Sequence, residues 1–90
     1  MRRLSIELKK DRNSSGWYYF SVDDKELRFT TNRDITGLTL ILKGTEGFGG
    51  KYPVKKNVSF IEKLEHYSGY FAFKYQPIKT DIVIEVDLLK

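Results

Sequence analysis

The chain has 90 residues, a formal net charge of +4 and no cysteine. That length makes one domain, 1–90, and the lack of cysteine excludes a disulfide framework and a thiolate zinc site. Apolar residues are 40% of the chain and charged residues 31%, which suits a packed core under a polar surface. No apolar run approaches the roughly 20 residues that a membrane-spanning helix needs. The start, Met1 to Glu7, is basic but has no apolar core, so it does not read as a secretory signal and the expected location is cytoplasmic.

Leu4, Ile6 and Leu8 alternate with Ser5, Glu7 and Lys9, which predicts a half-buried first strand. Asp11 to Gly16 is a turn cluster. Trp17 to Val22 is a second strand rich in aromatics. Asp23-Asp24-Lys25 reads as a tight turn into a third strand carrying Leu27, Phe29 and Thr31, so the spacing predicts a hairpin. Asn32 to Gly37 reads as a loop, and Leu38, Leu40 and Leu42 mark a fourth strand.

The segment 59–67 reads as a helix. Ser59 and Glu62 form a capping-box pattern. Phe60, Ile61, Leu64 and Tyr67 then share one helical face, Glu62 and His66 lie four apart, and Gly69 stands at the C-terminal cap. A strand there would put Glu62 on the inward face with Phe60 and Leu64, placing a charge toward the core. Tyr70 to Gln76 and Ile82 to Leu88 are the last two strands.

The expected fold class is therefore α+β, predominantly antiparallel β, with about six strands and one short helix near 59–67. With 59–67 as a strand, the chain becomes a seven-stranded all-β sandwich or barrel. Both place Leu4, Ile6, Leu8, Phe20, Phe29, Leu40, Phe71, Phe73, Ile84 and Val86 in the core.

The opposite phase of the strands predicts a second face. It carries Trp17, Tyr19 and Tyr70, interleaved with Lys9, Arg28 and Lys74. Such a face can stack bases, stack sugar rings or anchor a protein partner. Burial of Trp17 in the core stands as the other reading, because Trp is highly buried on average.

The stretch Gly44 to Asn57 holds four of the seven glycines together with Lys51, Lys55 and Lys56. Loops of this length are uncommon inside a compact domain and are often functional. The reading is a loop that presents Phe48, Lys51 and Tyr52 to a partner. A Walker phosphate loop fails on spacing, and Tyr52 stands where Ser or Thr must ligate magnesium. Asp11 to Gly16 resembles the opening of a calcium loop, but Val22 occupies the position of its bidentate Glu. Arg2-Arg3-Leu4-Ser5 resembles a kinase site and is read as accidental. His66, the one histidine, has no second ligand of its kind for a transition metal. No nucleophile, base and orienting group come together, so no enzyme, metal or cofactor is expected.

The expected function is a small non-catalytic binding or accessory protein that occupies a surface on a larger protein partner. Its composition suits an inhibitor or regulator from a bacterium or mobile element. The partner-binding set is Phe48, Tyr52, Lys51, Trp17, Tyr19, Arg28 and Tyr70. A nucleic-acid alternative places Lys9, Arg28, Lys51, Lys55, Lys56 and Lys74 on phosphates. A carbohydrate-binding module using Trp17 and Tyr19 is the third reading. Homo-oligomerisation through edges at Leu4–Lys10 and Ile82–Lys90 is also open.

Overall fold

A computed structural model describes residues 2–43, 51–64 and 68–90, with backbone alone for Lys51 and Tyr52. Eight strands are found among them: β1 Arg2–Leu8, β2 Tyr18–Phe20, β3 Glu26–Thr31, β4 Ile35–Leu42, β5 Lys51–Val54, β6 Phe60–Lys63, β7 Gly69–Lys74 and β8 Ile82–Leu89. They form two four-stranded antiparallel sheets. Sheet I has the order β1-β8-β3-β6 and sheet II the order β2-β7-β4-β5. The pairs β1–β8, β2–β7, β3–β6 and β4–β5 are nested, as in a long hairpin rolled up on itself. This is the strand order of a jelly roll.

The period-two pattern of the strands places one face of each sheet inward. Ile6 and Leu8 of β1, Phe20 of β2, Phe29 of β3, Leu40 of β4, Phe71 and Phe73 of β7, and Ile84 and Val86 of β8 all enter one hydrophobic cluster. Leu4 is half-buried and packs against it. Phe29 of sheet I meets Phe73 of sheet II edge-to-face, with ring centroids 5.2 Å apart. That contact joins the two sheets at the centre of the core.

Several sequence expectations are corrected. No helix occurs among the described residues, and Phe60–Lys63 is a strand. It pairs with β3, and Phe60 stacks on Phe29 at 5.8 Å. Ser59 does not cap a helix; its hydroxyl shares a 2.8 Å hydrogen bond with that of Thr30 across the sheet. The charge objection to a strand dissolves because β6 is an edge: Glu62 is half-buried at the rim, while Leu64 beyond it is buried. Gly69 opens β7 rather than capping a helix. His66 lies outside the described residues. The all-β alternative thus holds, with one more strand than expected, because Lys51–Val54, inside the Gly44–Asn57 stretch expected to be a loop, forms β5 on β4. Pro53 is tolerated there because β5 is an edge strand.

β2 and β3 do not form a hairpin. β2 belongs to sheet II and β3 to sheet I. The turn between them is a corner: the Asp24 carboxylate accepts a 2.8 Å hydrogen bond from the Ser21 amide, and the Asp24 amide donates to the Ser21 carbonyl at 3.0 Å. The Lys25 amide then donates to the Leu89 carbonyl, delivering the chain to β8. The loop expected over Asn32–Gly37 is shorter, since β4 begins at Ile35. Its register shifts between Ile35 and Leu38, and Gly37 there has φ +72°, a left-handed conformation that glycine adopts without strain. β8 is not an edge; it lies between β1 and β3, with Ile82, Ile84, Val86, Asp87 and Leu88 buried.

Among the described residues no helix is long and apolar enough to cross a membrane.

Candidate binding face

The second face predicted from the strand phases is divided between the two sheets. Trp17, Tyr19, Tyr70 and Lys74 belong to the outer side of sheet II. Arg28 lies on sheet I, and Lys9 follows β1 of the same sheet. Strand phase identifies which residues point outward but cannot assign a strand to a sheet.

On the outer face of sheet II the register builds three rows. Tyr19 of β2 stands opposite Tyr70 of β7, and the Lys43 amide donates to the Tyr70 carbonyl at 2.8 Å, so the first row is Tyr19–Tyr70–Lys43. Continuing the β2–β7 register by one residue puts Trp17 beside Ala72, which pairs with Ile41. The third row joins Lys74, Thr39 and Lys51 through their register. Trp17 is 48% exposed, Tyr19 48% and Tyr70 45%. Trp17 is therefore not a core residue. Ala72 is covered although it points outward, which marks the centre of this face as closely packed.

The rings are held in place. Tyr19 and Tyr70 meet edge-to-face at 5.7 Å, a contact that contributes about 0.5–1.5 kcal/mol beyond buried area. The Lys43 ammonium lies 5.7 Å from the Trp17 ring centre and 5.6 Å from that of Tyr70. The Arg2 guanidinium lies 6.0 Å from the Tyr19 ring centre and donates to the Tyr19 carbonyl, closing the seam between the β1 and β2 edges. Exposed cation–π contacts of this kind contribute about 0.5–1 kcal/mol each.

Lys43 and Arg2 are functional candidates that sequence reasoning missed. Lys43 continues the outward phase of Thr39 and Ile41, and that period is the signal that could have found it. Arg2 shares the inward phase of Leu4 and Ile6; only the approach of two sheet edges brings it to Tyr19.

The other expected cations are placed elsewhere. Arg28 donates to Asp87 at 2.9 Å, and Arg3 binds the same carboxylate through two hydrogen bonds of 2.7 and 3.1 Å. These three residues share one row across β1, β8 and β3. The two arginines hold the Asp87 carboxyl down at about 2, Arg3 contributing most. Lys9 pairs with Glu7 and lies 3.7 Å from Asp81, and the Glu7 hydrogen bond raises its pKa. Lys55 and Lys56 are exposed in the loop after β5. Phe48 lies outside the described residues, as do the side chains of Lys51 and Tyr52.

An open groove of about 810 Å³ lies at the opposite end from the β2–β3 corner, between the loops that follow β3, β5 and β7. Arg33, Asp34, Lys56, Gln76 and Lys79 are among the residues lining it. The Asp34 carboxylate there accepts from the Lys56 amide at 2.7 Å, an interaction that ties two loops together.

No protein-family model, curated protein or solved structure matches the chain.

Proposed function

We propose that this protein is a non-catalytic binding protein that acts by occupying a surface on a larger protein partner, with the outer face of sheet II as its contact. One observation carries the reading: Trp17, Tyr19 and Tyr70, each nearly half exposed, are gathered on one face of a rigid sheet. The other exposed large apolar residues among those described, Val22, Val58 and Ile61, are scattered over a corner, a loop and an edge of the other sheet. Trp, Tyr and Arg are the residues that most often dominate protein interfaces. Rings already held by cations lose little freedom on binding, which favours affinity.

The same rings support base or sugar stacking less well. Tyr19 and Tyr70 stand at 65° and offer no common plane. A cation already lies over one face of each of the three rings. Phe48, in the stretch between β4 and β5, and Lys51 and Tyr52 of β5 are kept in the proposed contact on the strength of the sequence pattern.

The test is partner capture with immobilised protein, wild type against Trp17→Ala and Tyr70→Ala, with cross-linking in cells of the source organism. A partner lost with both variants while their thermal stability is kept supports the reading. Capture that is indifferent to both variants sinks it.

A further inference from the structure

The two sheets differ in charge as well as in aromatic content. The strands of sheet I contain Glu7, Glu26, Glu62, Glu85 and Asp87 together with Arg2, Arg3, Arg28 and Lys63. The strands of sheet II contain Lys51 and Lys74 and no Asp or Glu at all. Lys43 follows directly on β4. Among the described residues no carboxylate pairs with Lys43, Lys74 or Arg2. Glu46, in the segment after Lys43, lies outside the described residues. Elsewhere carboxylates engage the cations closely, as Asp87 does with Arg3 and Arg28. The segregation leaves one aromatic face with positive charge at both ends and nothing described to neutralise it.

Resting on the protein-binding reading, we infer that this face takes an acidic segment of the partner, in extended form, with carboxylates flanking an apolar side chain. The rows define the match. Trp17, Ala72 and Ile41 make an apolar row, with the Lys43 row on one side and the Lys74 row on the other. Adjacent same-face rows of a strand are about 7 Å apart, so the backbone positions of Lys43 and Lys74 stand about 14 Å apart along the strands, and the Lys43 ammonium leans in toward Trp17. An extended chain repeats its own side chains at the same interval. Carboxylates at positions i and i+4 then meet the two lysines, and the side chain at i+2 meets Trp17. Opposite charges at a rim govern encounter and register, while the aromatics supply the apolar contact. Nucleic acid is the other anionic class, and the ring arrangement that disfavours stacking argues against it.

The probes are a random glutamate–tyrosine copolymer, a glutamate homopolymer and an oligothymidylate of matched charge, each titrated against the intact protein. Trp17 is the one tryptophan, so its emission reports this face alone. The copolymer is expected to bind tightest, and Lys43→Glu or Lys74→Glu to weaken it about tenfold or more. Lys63→Glu, on sheet I, is expected to leave it unchanged. Circular dichroism and a thermal melt establish that each variant is folded. Oligothymidylate binding as tightly as the copolymer overturns the inference, and so does the absence of copolymer binding at low salt. A second arm repeats partner capture with Lys43→Glu and with Trp17→Ala. Loss with Trp17→Ala but not with Lys43→Glu removes the acidic-segment inference and leaves protein binding standing. Loss with neither removes the protein-binding reading itself.

Discussion

Tyr19 and Tyr70 are direct partners in the β2–β7 register, and their rings meet edge-to-face at 5.7 Å on the outside of sheet II. The pair ties β2, the shortest of the described strands, to its neighbour. It also anchors the row that ends at Lys43. Stability and binding therefore draw on the same two side chains. A double-mutant cycle of Tyr19→Ala and Tyr70→Ala, read by urea unfolding, is expected to show a coupling of about 0.5–1.5 kcal/mol. Strict additivity would mean that the rings merely sit side by side.

Asp87 links pH to stability. Arg3 and Arg28 hold its folded pKa at about 2, below the ordinary 3.8. A carboxylate whose pKa is depressed by folding stabilises the protein fully above its unfolded pKa. That contribution disappears as pH falls through the folded pKa, here between about pH 4 and about pH 2. Asp87→Asn is expected to cost about 1–2 kcal/mol at neutral pH, because both arginines stay near solvent and can hydrate. The difference between wild type and variant should shrink toward zero in that acid window. Urea midpoints measured across it provide the check, and a constant difference would rule out Asp87 as its source.

Phe29 fills the centre of the core, against Phe73 of the opposite sheet and Phe60 of its own. Phe29→Ala removes both ring contacts and leaves a cavity, so it should cost about 3–5 kcal/mol. In a chain of 90 residues that is a large share of the total stability. A shift in melting temperature of only a few degrees would mean that the sheets close over the gap.

Ile61 separates strand from helix by the sign of one substitution. It is exposed on the outer side of β6, opposite Arg28. In an edge strand, Ile61→Ala loses β-propensity and should destabilise by about 0.5–1 kcal/mol. At an exposed helical position the same change would stabilise by a few tenths of a kcal/mol. The direction of the midpoint shift decides between them.

Gly37 sits at the β4 bulge with φ +72°. Gly37→Ala forces an L-residue into that region and should cost about 1–2 kcal/mol. A neutral result would show that the bulge relaxes to another register, detectable as altered amide exchange at Leu38 and Thr39.

Much of the architecture is legible in the sequence because period two is a local property. Ile6, Leu8, Phe20, Phe29, Phe71, Phe73, Ile84 and Val86 hold one phase of their strands, and each is buried as that phase requires. Trp17 and Tyr19 fall in the opposite phase and are exposed. The segment Ser59 to Leu64 was ambiguous because a capping box and one inward charge both argue for helix. Neither argument knows that β6 is an edge, where Glu62 can sit at the rim.

What local pattern determined is which side of most strands faces inward, together with the aromatic content of the outer phase and the absence of acids from β2, β4 and β7; β5 read as loop. What only the tertiary structure decided is which strands share a sheet. The corner at Ser21–Asp24 sends β2 and β3 to opposite layers, so Arg28 leaves the aromatic face and pairs with Asp87. The β1 and β2 edges meet, and Arg2 reaches Tyr19. Strand pairing joins residues far apart in the chain, and that long-range choice is made by the shared core, which no single stretch of sequence contains.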